Sequence, residues 1–374
     1  MHPSITRRRF LGGLAAGGAA AALAPTLLTA CGDDSSGSSG GKKTVVFHNW
    51  PLYIEGDDPA TSPTLTGFTK ASGLAVDYTT AVEDNDSWFD KFSPDLAKGK
   101  GVGVDIVVLT TWMAARMVER KYVQAFDAAT FPNKKNVLAD LADSPWDKGR
   151  TSTIPWAQGQ TGIAYWPDKA GFEIKSMADL LDPRLKGRVT LLSEMRDTVG
   201  LMMLLDGKKP EDAKVADALA AIEKIKAARD KGQFRKITGN SYTDDLGAQE
   251  AWASVAWSGD VAQLQAEKPG LKWVLPAEGA MSFTDWAMIL IGAPNKAGAE
   301  KLLNYVYDPA VAAGLYESIA YRPPVQGAVE KMSAEAQKNP LINPGAGVKL
   351  HEFRVLTADE DKQLAEAFNA ATQQ

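Results

Sequence analysis

Short runs of β-branched and apolar residues alternate along the chain with stretches of helical period. Thr44-Val45-Val46-Phe47 reads as a strand, residues 62–71 as a helix, and residues 74–78 as a second strand. A helix over 87–97 leads into the apolar run Asp105-Ile106-Val107-Val108-Leu109, which a helix over 112–120 follows. Beyond Ser152-Thr153-Ile154-Pro155-Trp156 the pattern crosses into a second unit, with strands at 161–166, 188–192 and 254–257. The most regular helix between them, 211–231, carries Val215, Leu219, Ile222 and Ile225 at three- and four-residue spacing, which marks one buried face. Residues 285–291 return to the first unit, and 297–307 and 309–318 read as helices. This alternation predicts an α/β chain with a mainly parallel sheet covered by helices on both faces. On such sheets ligands sit beyond the carboxyl ends of strands, so residues just past strand ends become the candidates for function.

Ahead of the first strand the pattern changes character. Thr6-Arg7-Arg8-Arg9-Phe10-Leu11 precedes a charge-free, Ala/Gly-rich stretch over 11–28. A charged start, a weakly apolar middle and small residues before a cut site make an export signal, here of the twin-arginine type, over residues 1–30. The Ala and Gly content and the polar tract that follows weigh against a membrane-spanning helix. The sole cysteine, Cys31, closes Leu28-Thr29-Ala30-Cys31, which resembles the lipobox of bacterial lipoproteins, so the expectation is cleavage before Cys31 and lipidation of its thiol. Residues 31–41 are a Gly/Ser/Asp tract that serves as a flexible tether. The expected location is outside the cell interior, in the periplasm or on the outer face of the cytoplasmic membrane, with the lipid at Cys31 as anchor.

About 330 residues follow the tether, enough for two domains. The chain has 41 Lys and Arg against 46 Asp and Glu; losing residues 1–30, with three arginines and no acids, takes its net charge from −5 to −8. An acidic balance argues against nucleic acid as a partner and favours a cationic ligand. Of the three histidines, His48 and His351 remain, far apart and without a neighbouring cysteine, so no metal site is expected. There is no Gly-rich phosphate loop, no Gly-x-Ser-x-Gly and no His-Glu-x-x-His, so neither a cofactor nor a common enzyme centre is expected.

Four segments place an aromatic residue beside a strand end: Asn49-Trp50-Pro51-Leu52-Tyr53, Thr110-Thr111-Trp112, Trp257-Ser258-Gly259-Asp260 and Phe283-Thr284-Asp285-Trp286. Ser193-Glu194-Met195-Arg196-Asp197 and Ala320-Tyr321-Arg322-Pro323 complete the set. An alkylammonium ligand needs this mixture, since aromatic faces attract the cation and flank its methylenes while carboxylates take charge-assisted hydrogen bonds from the amine. Plainer readings stand beside it. Trp50, Trp112 and Trp257 also fit a core, Asp260 and Asp285 also fit helix N-caps, and Glu194 and Asp197 also fit a solvated face with Arg196 as a local partner. Other functions stay open as well: a binder of a quaternary amine, a sugar or a ferric ion, or a cell-surface hydrolase using Glu194 and Asp197 as paired carboxylates.

From about Lys42 to the C-terminus the chain resembles the spermidine/putrescine-binding proteins of bacterial ABC transporters. The resemblance rests on Phe47-His48-Asn49-Trp50-Pro51-Leu52-Tyr53, on Leu180-Leu181-Asp182-Pro183-Arg184-Leu185-Lys186-Gly187, on Trp257-Ser258-Gly259-Asp260, and on Ala277-Glu278-Gly279 followed by Asp285. It implies a type II periplasmic-binding-protein fold: two α/β lobes around a ligand cleft, with 42–155 plus 286–321 as the first lobe and 156–285 plus 322–374 as the second. It also implies roles. Trp50 and Tyr53 take the places of an aromatic pair that clamps the polyamine, and Trp112 that of an aromatic after the third strand. Glu194 and Asp197 stand as an acid pair, Trp257 stacks on methylenes, Asp285 grips an amine, Phe283 stands near where a tryptophan is common, and Tyr321 closes the box. Asp260 comes with the Trp257 motif. The implied partners are a polyamine and the permease subunits of an importer, for a monomer that is not an enzyme. Three departures bear on the ligand: Pro51 replaces a hydroxyl residue, Glu194 is longer than aspartate, and Phe283 is smaller than tryptophan. They imply a pocket for a shorter or differently branched amine and leave putrescine and spermidine both open.

Overall fold

The apolar run after Asp105 is buried on both faces, and this organises the first half of the molecule. In the computed structural model, which describes residues 43–373 apart from 57, 59 and 344–347, Ile106 and Val108 enter one hydrophobic cluster. Val107 and Leu109 enter another on the opposite face. A strand covered on both sides is what an unbroken β-branched run predicts. The export signal, Cys31 and the tether lie outside the described residues.

Ten strands are present among the described residues: β1 (Thr44–His48), β2 (Ala75–Thr79), β3 (Ile106–Thr110), β4 (Thr153–Tyr165), β5 (Val189–Leu192), β6 (Phe234–Thr238), β7 (Ala253–Trp257), β8 (Lys272–Val274), β9 (Ala280–Ile289) and β10 (Leu350–His351). Their order is β2-β1-β3-β9-β4-β7-β5-β6, with β10 on β9 and β8 on β4. β1 runs parallel to β2 and β3, and β5 runs parallel to β6 and β7. β9 lies antiparallel to β3 and to β4, and β4 antiparallel to β7. Two parallel halves are thus joined through an antiparallel centre.

That centre is made by the two longest strands. β4 and β9 pair from Thr153 opposite Met288 to Thr161 opposite Met281, with a register shift between Pro155 and Ala157. The sequence pattern breaks this stretch near Trp156 and restarts a strand at 161; the structure carries it through as one strand, because the antiparallel partner satisfies the backbone on both sides of the irregularity.

The hydrophobic cores divide at the same place. Ile154, Trp156 and Ala157 pack with Phe47, Leu302 and Tyr316, whereas Ile163, Ala164 and Tyr165 pack with Leu191, Ile222 and Val255. This is the two-lobed type II architecture. The C-terminal stretch 322–374, expected as part of the second lobe, is divided by its packing: Val325, Ala328, Met332 and Ile342 enter the first core, and Phe353, Leu364 and Phe368 the second. The helix Val215–Asp230 buries Ala218, Ala221, Ile222 and Ile225, with Val215 and Leu219 packed at the margin.

Local signals fix the ends of helices in both lobes. The helix Pro63–Ser72 starts with the Ser62 hydroxyl accepting from the Leu65 N–H and stops at Gly73, whose φ of 72° suits a residue without Cβ. Glu194 is the N-cap of the helix Met195–Leu205, its carboxylate accepting from the Arg196 N–H. No helix among the described residues is long and apolar enough to cross a membrane.

Candidate functional site

Between the two cores lies a cavity of about 900 Å³. Nine of the ten residues singled out in the sequence line it: Trp50, Tyr53, Trp112, Glu194, Asp197, Trp257, Phe283, Asp285 and Tyr321. Asp260 does not. It is buried behind the wall, where its Oδ2 accepts from the Tyr242 hydroxyl at 2.8 Å and its Oδ1 lies 3.4 Å from the Tyr321 hydroxyl. It holds up one side of the cavity without reaching into it, because it points from the first turn of the helix Ser258–Glu267 toward the tyrosines.

The chain enters the site directly after β1. Leu52 takes a positive φ of 61°, a tight turn that returns Tyr53 to the interior. The Tyr53 hydroxyl donates to Asp285 Oδ2 at 2.5 Å, and its ring lies 5.0 Å from that of Tyr321. Asp285 and Phe283 lie within β9, not past a strand end as the sequence pattern implied, with Asp285 opposite Thr110 at the end of β3. Tyr321 follows Ala320, a residue with a φ of 58° that ends the helix Pro309–Ile319. Phe283 meets Trp257 and Tyr321 edge to face at 6.4 and 6.3 Å. Two glycines leave room for this box. A Cβ on Gly159 would stand 2.1 Å from the Phe283 ring, and one on Gly259 2.1 Å from the Tyr321 ring.

Asp197 and Asp285 are buried, while Glu194 keeps 22% of its side chain exposed. Trp257 Nε1 donates to Asp197 Oδ2 at 2.8 Å. Burial pushes the Asp285 and Asp197 carboxyls up to about 6, with hydrogen bonds from Tyr53 and Trp257 pulling the other way. Burial raises Glu194 to about 7, against the attraction of Arg196, with the Asp197 charge adding to the rise. Such carboxylates are poised to ionise when a cation arrives, since its charge supplies what the lost water no longer does.

Beside the box stands a cluster of which the sequence pattern offered Trp112 and the local partnership of Arg196 with Glu194, but neither Arg116 nor Asp361. Arg196 lies over the Trp112 ring at 3.8 Å and pairs with Asp361, and at 3.7 Å with Glu194. Arg116 lies 5.0 Å from the same ring and pairs with Asp361 and, at 3.5 Å, with Asp86. Asp361 comes from the helix Ala358–Thr372 and Arg116 from the helix Thr111–Glu119, so the pair ties the two lobes across the cleft. Glu83, Asp84, Asp90 and Glu352 also line the cavity. Dense acids at 83–90 were visible in the sequence, but Asp84 caps the helix Asn85–Leu96, and capping alone accounts for such a pattern. Altogether nine carboxylates face two guanidiniums around the cavity, with no lysine among its lining residues.

A two-lobed α/β fold with an acidic, aromatic cleft between the lobes defines a solute-binding protein. Residues 65–344 match the family described as bacterial extracellular solute-binding protein, and the chain belongs to that family. It is 26% identical over 306 residues to the spermidine/putrescine-binding periplasmic protein 1 of Haemophilus influenzae, covering 82% of each chain. It is 27% identical over 343 residues to the putrescine-binding periplasmic protein SpuD of Pseudomonas aeruginosa, covering 86% of this chain and 89% of that one. A solved structure described as a putative spermidine/putrescine ABC transporter from Listeria monocytogenes is similar at 26% identity with a TM-score of 0.77, over 88% of this chain and 99% of that one.

Proposed function

We propose that this chain captures a polyamine, putrescine or spermidine, in the cleft and delivers it to the permease subunits of an ABC importer. One observation carries the reading: nine carboxylates against two guanidiniums around a cavity walled by Trp50, Tyr53, Trp257, Phe283 and Tyr321. Cations are drawn into such a cleft by its field and held by carboxylates that have little water of their own. The names of the similar proteins agree with this chemistry. In this reading Asp285 and Asp197 take hydrogen bonds from the ammonium groups, while the aromatic rings flank the methylenes. A sugar would gain little from that much charge, and a quaternary amine could not donate to the buried acids.

The ligand acts by bridging two lobes, one of 42–155 plus 286–321 and the other of 156–285 with the C-terminal helix Ala358–Thr372 packed on it. It stabilises the closed form, which the permease recognises. The solute leaves unchanged, and the protein acts as a monomeric carrier and not as an enzyme. Export through the twin-arginine signal and lipidation at Cys31 keep it at the membrane surface.

Calorimetric titration with putrescine, spermidine, glycine betaine and a sugar panel tests this. Salt-sensitive binding of a diamine or triamine is expected, because ion pairing contributes to it. Binding of a sugar or of glycine betaine with silence toward every polyamine would keep the fold and reject the ligand.

A further inference from the structure

Trp112, whose ring was expected to meet the ligand, meets the protein's own cation instead. Arg196 covers it at 3.8 Å, pairs with Asp361 and Glu194, lines the cavity, and keeps only 10% of its side chain exposed. One aromatic face and two carboxylates are the set that would hold a terminal ammonium. The same chemistry stands beside it, open, at Asp197, Trp257 and Asp285. A guanidinium fixed to the first turn of the helix Met195–Leu205 needs no association from solution, so it competes with a free amine as an intramolecular ligand does. Arg196 therefore does more than balance Glu194.

We infer that Arg196 is a built-in cation occupying the subsite at Trp112, which leaves the cleft one ammonium position short of its lining and selects a short diamine over a triamine. The inference rests on the polyamine reading above. It explains why so acidic a cleft keeps the Arg196 guanidinium packed at 3.8 Å on the Trp112 ring, and it assigns specificity to a residue outside the Asp285 box. Removing the guanidinium would clear the closer cation, at 3.8 Å, from the Trp112 ring and leave Glu194 without its partner, while Asp361 keeps Arg116; the third amine of spermidine can supply the cation that Glu194 lacks.

The experiment compares the dissociation constants of putrescine and spermidine, by calorimetry, in the wild type, Arg196→Gln and Arg196→Lys, each checked for folding by thermal melting. The wild type is expected to favour putrescine. In Arg196→Gln the ratio should move toward spermidine by about tenfold or more, and Arg196→Lys should restore most of the wild-type ratio. If Arg196→Gln does not fold, Arg196→Met keeps the aliphatic stem on Trp112 and reads the same ratio. An unchanged ratio in a folded variant, or a wild type that already favours spermidine, overturns the inference and leaves the polyamine reading intact. A wild type that binds neither amine overturns that reading and this inference with it.

Discussion

Asp285→Asn should make the ligand-free protein more stable and its binding weaker. Asp285 is 3% exposed, and burial raises its carboxyl from the ordinary 3.8 to about 6. In the unfolded chain the group ionises near its ordinary value, so between about pH 4 and pH 6 the folded state holds the extra proton and stability falls as pH rises. Above pH 6 the whole difference is in force: about two pH units, or ~3 kcal/mol at 1.36 kcal/mol per unit. Asparagine keeps an oxygen for the Tyr53 hydroxyl and carries no charge to desolvate. With an unfolding entropy of ~0.7 kcal/mol per kelvin for roughly 330 residues, the variant should melt ~4 °C higher at pH 7.5. The advantage should shrink as the pH is lowered toward 4, where the folded wild type holds its proton and the unfolded chain begins to regain one. Polyamine affinity should drop by more than about tenfold, the loss of one charge-assisted hydrogen bond in a dry site. Melting curves from pH 4 to 7.5 with and without putrescine measure both effects. A variant that melts no higher than the wild type at pH 7.5, or with an advantage independent of pH, would refute the reasoning.

Three further outcomes are expected. Putrescine affinity should rise from pH 5 to pH 7 as Asp197, Asp285 and Glu194 ionise, with protons released on binding near pH 6; titrations in buffers of different ionisation enthalpy count those protons, and a count of zero contradicts the raised carboxyls. Gly259→Ala should drive the Tyr321 ring toward the cavity and weaken binding by about tenfold or more, because the new Cβ would stand 2.1 Å from the ring; equal affinity would mean that the ring moves away freely. Cys31→Ser should release the exported protein from the membrane fraction, a shift that fractionation and immunoblotting detect.

The parts of the fold that could be read from the chain are those set by local pattern. The apolar run of β3, the helix that ends at Gly73 and the helical face of Ile222 and Ile225 each carry their own period or cap. β6 was harder to see, since Phe234-Arg235-Lys236-Ile237-Thr238 has too few apolar positions to alternate clearly. The aromatic and acidic residues of the box were legible because they stand in short motifs that mix the two residue types, although Phe283 and Asp285 lie inside β9 and Tyr321 follows a helix end. Asp260 was assigned to the cleft by its neighbour Trp257, yet successive residues point in different directions, and only packing shows that it supports Tyr321. The Arg116 and Arg196 pairs with Asp361 join residues 245 and 165 positions apart, and no periodicity records such a meeting.

The paired strands β4 and β9, hydrogen-bonded from Thr153 with Met288 to Thr161 with Met281, form a two-ply ribbon between the lobes. Such a ribbon flexes across its face without breaking its ladder, but sliding one lobe along the other would break it. The molecule therefore has one soft direction of travel. An opening along that direction would keep every pair of the ladder in register, so groups that parted would meet the same partners again. On the reading proposed above, a solute held in one half of the site waits only for a single swing, with backbone mechanics setting the tempo and the side chains the choice.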